Sequence, residues 1–339
     1  MFKRYLFITA SLLLLIACNN NKLDVDISEI EVKPLKIERL ENDIFSINSK
    51  NVDKKNKKNS LKYGNFYEHY ILLSFINKNG ISDSLFKFNL LKFINDRDMN
   101  ETYGYVKKTY PDNKIEEINK ELTSCLKRFK FHFPKRHLPS RLITCTTGYN
   151  YSVAYTDSAL VLGLDMYLND TAKFYKMLNT PAYLLRTMNE NYILPNLVKG
   201  WLLTEFDNSN SVNTLINHTI FYGKLFYCVN ALLPNLNDSL IIGYTHKQLI
   251  YCEKNERNLW GYFAEKNRLY ENNLKTIQEL TSDGPFTGAI SKDCPPRIAM
   301  WMGWQIIKSY LKNNKDVSLN ELMAENDVQK ILNKSKYRP

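Results

Sequence analysis

The apolar residues of this chain change period twice, and that pattern constrains the fold more than any motif does. From about residue 63 to 133 they recur at helical spacing. Between residues 142 and 162 they form short blocks separated by Gly148-Tyr149-Asn150 and Thr156-Asp157-Ser158, which read as strands around turns. From about residue 181 onward the helical period returns. Helices flanking one small sheet on both sides give an α+β class, mostly α, with an antiparallel or mixed sheet.

Individual segments follow from the same reading. Residues 31–40 alternate through Val32, Leu35, Ile37 and Leu40, a strand that Pro34 marks as an edge. The lysine- and asparagine-rich stretch 48–60 reads as a solvated loop, within a basic cluster that a membrane surface could attract. Helices are expected over 63–76, from a cap at Ser82 or Asp83 to 94, and from a cap at Asp112 through Ile115, Ile118, Leu122, Leu126 and Phe129. Further helices are expected within 181–206, interrupted or started near Pro195, and over 212–233, 245–263, 295–311 and 319–332. With no internal repeat, residues 31–339 are expected to form a single domain.

The N-terminus is an address rather than part of the fold. Lys3 and Arg4 precede an apolar run over residues 6–16, too short for a membrane span of about 20 residues. Leu15-Ile16-Ala17-Cys18 then matches a lipoprotein signal: residues 1–17 are removed and Cys18 carries the lipid. Residues 18–30 read as a polar tether, and two or three acyl chains would hold the body firmly to a membrane.

Composition removes several function classes. The formal net charge is +11, but the excess is spread along the chain and no nucleic-acid motif accompanies it. There is no glycine-rich phosphate loop and no GxSxG elbow. The histidines at 69, 132, 137, 218 and 246 show no i, i+4 pair and no HExxH, so no zinc site, metal or other cofactor is indicated. Five cysteines remain beyond Cys18, with no CxxC; Cys125 and Cys228 read as core, and one disulfide is possible in an oxidising compartment.

Two features invite a functional reading. Glu253 and Glu256 are three residues apart on the expected 245–263 helix, with Trp260 continuing that face. The ordinary alternative is a solvated face on which Glu253 pairs with Arg257. Asp283-Gly284-Pro285-Phe286-Thr287 and Cys294-Pro295-Pro296-Arg297 form a conspicuous pair of loops able to cap a groove, or simply two turns before a buried helix.

Blocks in the second half resemble the GldB family of gliding-motility lipoproteins of the Bacteroidetes. They include the run from Val161 to Leu168 with Asp165, Tyr222-Gly223-Lys224-Leu225, Ile242-Gly243-Tyr244-Thr245, Asn255-Glu256 and Leu259-Trp260. They continue with Pro285-Phe286-Thr287, Pro296-Arg297, Gly303-Trp304-Gln305-Ile306 and Lys334-Ser335-Lys336-Tyr337. The resemblance implies a lipid-anchored, periplasm-facing envelope protein, on the inner or outer membrane, in the gliding and type IX secretion machinery. Its partners would be other envelope proteins, bound without catalysis. Asp165, Glu253, Glu256, Trp260, Arg297 and Trp304 are then the candidate groove or partner residues. The family layout is also distantly similar to zincin-type zinc peptidases, which would make this a zincin-like scaffold without its metal motif. The helix in the HExxH place, near 192–206, has no histidine, and Glu256 would fall near the later acidic position. A divergent metallopeptidase is the alternative.

Overall fold

The computed structural model describes residues 23–339 apart from Phe75, Asp157, Thr171 and residues 207–211. The signal segment and Cys18 lie outside the described residues.

The sheet is mixed and four-stranded: β1 (Lys36–Arg39), β2 (Arg141–Cys145), β3 (Val153–Tyr155) and β4 (Ala159–Gly163), in the order β1-β2-β4-β3. β1, β2 and β4 are parallel, and β3 joins β4 antiparallel. β1 is an edge strand but covers only residues 36–39 of the 31–40 expected: Pro34 lies before it, and Leu40 already opens a helix. Strands β2 and β3 flank the 148–150 turn but are not neighbours, because β4 lies between them. Both central strands are buried, so successive side chains enter different cores. Leu142, Leu160 and Leu162 face a large core, while Ile143, Cys145, Ala159 and Val161 face a smaller one.

The smaller core is built from the N-terminal helices. These are α1 (Leu40–Phe45), α2 (Val52–Tyr63), α3 (Asn65–Leu73) and α4 (Phe86–Asn95). Helix α2 corrects the loop expected over 48–60. Its lysines stay at the surface while Val52, Asn59 and Tyr63 bury one narrow stripe. Lysine favours helix, and one stripe suffices against α3. Helix α4 starts later than expected, since Asp83 is bonded by Asn77 Nδ2 at 3.0 Å and its carbonyl receives the Phe86 N–H. Helix α5 (Arg97–Thr109) had no counterpart in the sequence reading. Asp96 caps it, accepting from the Asp98 and Met99 N–H groups at 2.9 Å, but only Thr102 and Val106 are buried along it.

Helix α6 (Asp112–His132) buries the expected stripe; Pro111 precedes it, and Asp112 is its first residue rather than its cap. After the sheet come α7 (Lys173–Met177), α8 (Ala182–Leu185), α9 (Ile193–Glu205), α10 (Leu215–Leu232) and α11 (Asp238–Ile242). The stretch expected as one helix over 245–263 is two, α12 (His246–Lys254) and α13 (Glu256–Ala264). Asn255 breaks it, its side-chain amide bonding the Tyr251 carbonyl at 2.8 Å. Helices α14 (Leu274–Thr281) and α15 (Ile298–Asn313) follow. The C-terminal segment is likewise two helices, α16 (Leu319–Ala324) and α17 (Val328–Ser335), because Ser318 and Asp327 each cap a new start.

The large core centres on α10 and α15. Their backbones touch where Gly223 and Gly303 meet: a Cβ on Gly303 would lie 1.8 Å from the Thr219 carbonyl oxygen. The cysteines at 125, 145, 228, 252 and 294 are all buried and free, so the possible disulfide is not formed among them. Burial pushes the Cys125 thiol up to about 12.

Candidate functional site

Beside the edge strand β3 runs a groove made of two recesses that share Ser152, Thr187 and Asn196. Helix α9 forms its floor. Pro195 sits in the first turn of α9, where it costs little. Ile193, Leu197, Val198, Trp201 and Leu202 turn inward, leaving Asn196, Lys199 and Gly200 on the groove side. Gly200 is required there, since a Cβ would lie 2.1 Å from the Tyr155 hydroxyl oxygen.

The first recess, about 300 Å³, gathers Arg186, Lys199 and Arg297 with a single carboxylate, Asp283. Arg297 has φ 58° and stands at the N-terminal end of α15, where the helix dipole disfavours a cation. Its guanidinium lies over the Tyr244 ring, 5.9 Å from the centroid. Its Nε is 3.6 Å from Asp283 Oδ1 and makes no hydrogen bond. Gly243, at φ 77°, ends α11 and leaves room for that guanidinium, which a Cβ would approach to 3.1 Å. Arg186 Nη1 donates to Gln248 Oε1 at 2.8 Å, and Gln248 is itself fixed by the capping box of α12. Lys199 Nζ reaches Asn196 Oδ1 only at 3.5 Å. Desolvation and the neighbouring Arg297 bring the Lys199 ammonium down to about 8.

The second recess, about 430 Å³, is apolar and aromatic, with Tyr149, Tyr167, Tyr175, Leu184 and Met188 among its walls. Asp165 holds one wall in place from behind. It is fully buried and receives the Thr147 N–H at 2.9 Å, the Thr147 hydroxyl at 3.1 Å and the Tyr149 N–H at 2.8 Å. Those bonds fix the turn at Gly148 and Tyr149, both with positive φ. Burial raises the Asp165 carboxyl to about 6, against the pull of these donors.

Of the six candidate groove or partner residues, Arg297 alone lines the groove directly, and Asp283 of the loop pair lines it beside Arg297. Trp304 is buried in the large core against Phe226, so it is not an exposed anchor; the close α10–α15 approach encloses it. Glu253 is exposed at the end of α12, while Glu256 opens α13 and accepts the Tyr337 hydroxyl at 2.6 Å. The helix break separates the two glutamates. Trp260 is half-buried with its ring edge-on to Tyr337 at 5.2 Å. Among the described residues no three His, Cys, Asp or Glu side chains gather where they could hold a metal ion.

The sequence pattern of the family described as gliding motility protein GldB matches residues 20–339. The chain belongs to the GldB family. No curated protein and no solved structure matches it. Among the described residues of this GldB-family chain, no helix is long and apolar enough to cross a membrane.

Two of the three groove cations, Arg186 and Lys199, were not singled out from the sequence. Lys199 did carry a signal: it is the one charged residue between Ile193 and Thr204 of α9. Arg186 carried none, because only the fold brings α8, α9 and the loop before α15 together.

Proposed function

We propose that this GldB-family protein is a lipid-anchored, periplasm-facing component of the gliding and type IX secretion-associated machinery. It acts by binding another envelope protein rather than by catalysis. Cys18 supplies the anchor and residues 18–30 the tether. The observation that carries the binding reading is the free edge of β3 beside a preformed groove. The pairing of Ser152 with Gly163 and of Thr156 with Ala159 directs those residues toward β4. By alternation, the backbone groups of Val153 and Tyr155 point to the open side. An extended partner segment could add there as a further strand, its side chains entering the two recesses.

The test is complementation of a deletion strain by Val153→Pro, which removes one outward N–H while leaving the bonds of Ser152 and Thr156 to β4. Spreading over surfaces should be lost while the variant stays folded and membrane-bound. Cys18→Ser should instead release a folded protein from the membrane fraction. Normal spreading by Val153→Pro would remove the strand-addition reading.

A further inference from the structure

We propose that the cationic end of the groove is a binding site for a phosphate monoester group carried on an apolar body, held by Arg186, Lys199 and Arg297. This goes beyond the protein-binding reading and does not depend on it.

The argument starts from charge. Three cations share a recess of about 300 Å³ with one carboxylate, an arrangement whose internal repulsion lowers stability. Asp283 offsets one cation, and its contact to Arg297 is long, at 3.6 Å. What remains is a twofold positive excess, which a phosphate monoester dianion neutralises and a single carboxylate does not. The donors are also unspent: Arg297 Nε has no hydrogen-bond partner, and Lys199 Nζ has only the 3.5 Å contact to Asn196. Guanidinium groups match phosphate oxygens through paired N–H donors, and lysine adds a point charge.

The cations are held in advance of any ligand. Gln248 fixes Arg186 from the α12 capping box. Tyr244 supports Arg297, and the positive φ of Gly243 and Arg297 shapes the backbone beneath the guanidinium. A cation placed against a helix dipole is held at an unfavourable energy that binding an anion would relieve. The volume exceeds that of bare phosphate, and Ser152, Thr187 and Asn196 of its lining also line the adjacent second recess, walled by Tyr167, Leu184 and Met188. The ligand therefore carries an apolar group beyond its phosphate, whether as a lipid headgroup or as a soluble ester.

The test is isothermal titration calorimetry of the purified protein at pH 7 with inorganic phosphate and with hexyl phosphate. Hexyl phosphate should bind at least tenfold more tightly than inorganic phosphate. Lys199→Met and Arg186→Gln should each weaken it by tenfold or more, while Lys312→Gln, on the exposed end of α15, should leave it unchanged. At pH 8, titration in two buffers of different ionisation enthalpy should show proton uptake on binding, absent in Lys199→Met. Phosphatidic acid vesicles that displace hexyl phosphate would make the source a lipid, and failure to displace it a soluble ester; both outcomes support the site. Absence of binding by the wild-type protein, or binding left within twofold by both groove substitutions, overturns it. The binding test uses no β3 substitution and the spreading test no groove-cation substitution, so the two readings fail separately.

Discussion

Single residues in this protein divide between those that brace the groove and those that load it with charge. Asp165 braces it. Its carboxylate is enclosed and receives the Thr147 and Tyr149 N–H groups, so Asp165→Asn puts an amide where acceptors are needed. We predict a loss of about 2–4 kcal/mol in urea unfolding, with the 147–150 turn loosened first in hydrogen exchange. Lys199 loads it. Its folded-state value of about 8 lies below that of an unfolded lysine, near 10.4, so the folded state binds its proton less tightly. The cost is present in full below pH 8 and is relieved as pH rises from 8 to about 10.4, so stability should rise through that window. Lys199→Met should therefore be more stable than the wild type at pH 7, by roughly 1–2 kcal/mol after allowance for solvent screening, and should show a shallower rise through that window, keeping the part due to Lys224, whose ammonium is also brought down to about 8 by burial. A melting profile unchanged between pH 7 and 10 in both proteins would refute the assignment.

Elements were legible in proportion to the width of their buried stripe. Helix α6 buries seven positions along 21 residues, and its apolar period was plain in the sequence. Helices α2 and α5 bury only three and two, so their sequences read as polar and their helicity is decided by packing and, for α5, by the Asp96 cap. The α12–α13 break was hidden because hydrophobic period continues across it, while one asparagine side chain ends the helix. The contact of α10 with α15 was legible only as residue type. Gly223 and Gly303 stood inside apolar helices without showing that they face each other. The substitution Gly303→Ala separates propensity from packing. Alanine favours helix by about 1 kcal/mol, but its Cβ would meet the Thr219 carbonyl oxygen at 1.8 Å, and backbone on both sides must move. We predict a net loss of about 3 kcal/mol or more. Gly261→Ala, on α13 with nothing within 4 Å of the new Cβ, should instead gain about 0.5–1 kcal/mol. Urea midpoints moving in the same direction for both variants would contradict this account.

At the scale of the whole molecule, the sheet separates two cores and the groove opens beside β3, on helices whose placement depends on segments distant in sequence. The cationic cluster was illegible for that reason: Arg186, Lys199 and Arg297 lie on three separate segments, and no spacing rule links them. The fold also uses its C-terminal end as a clamp on the large core. Ser309 Oγ and Asn313 Nδ2 both donate to the Ser335 carbonyl at 2.8 Å, tying α15 to the end of α17. Tyr337 then reaches α13, donating to Glu256 and setting its ring against Trp260. Lys336 takes a positive φ to make that turn. The 334–337 block quoted for the family resemblance is thus explained by structure, and Glu256 is engaged in holding the end of the chain. We predict that deleting residues 335–339 lowers stability by about 3–5 kcal/mol, because it removes a buried ring and leaves donors on α15 without partners. Tyr337→Phe keeps the ring and should lose only about 1 kcal/mol. Trp260 fluorescence should shift toward that of an exposed indole in the deletion but not in Tyr337→Phe. If the deletion unfolded at the wild-type urea midpoint, the C-terminal segment would be a surface tail, and α13 would have to be held by its packing on Leu259 and Phe263 alone.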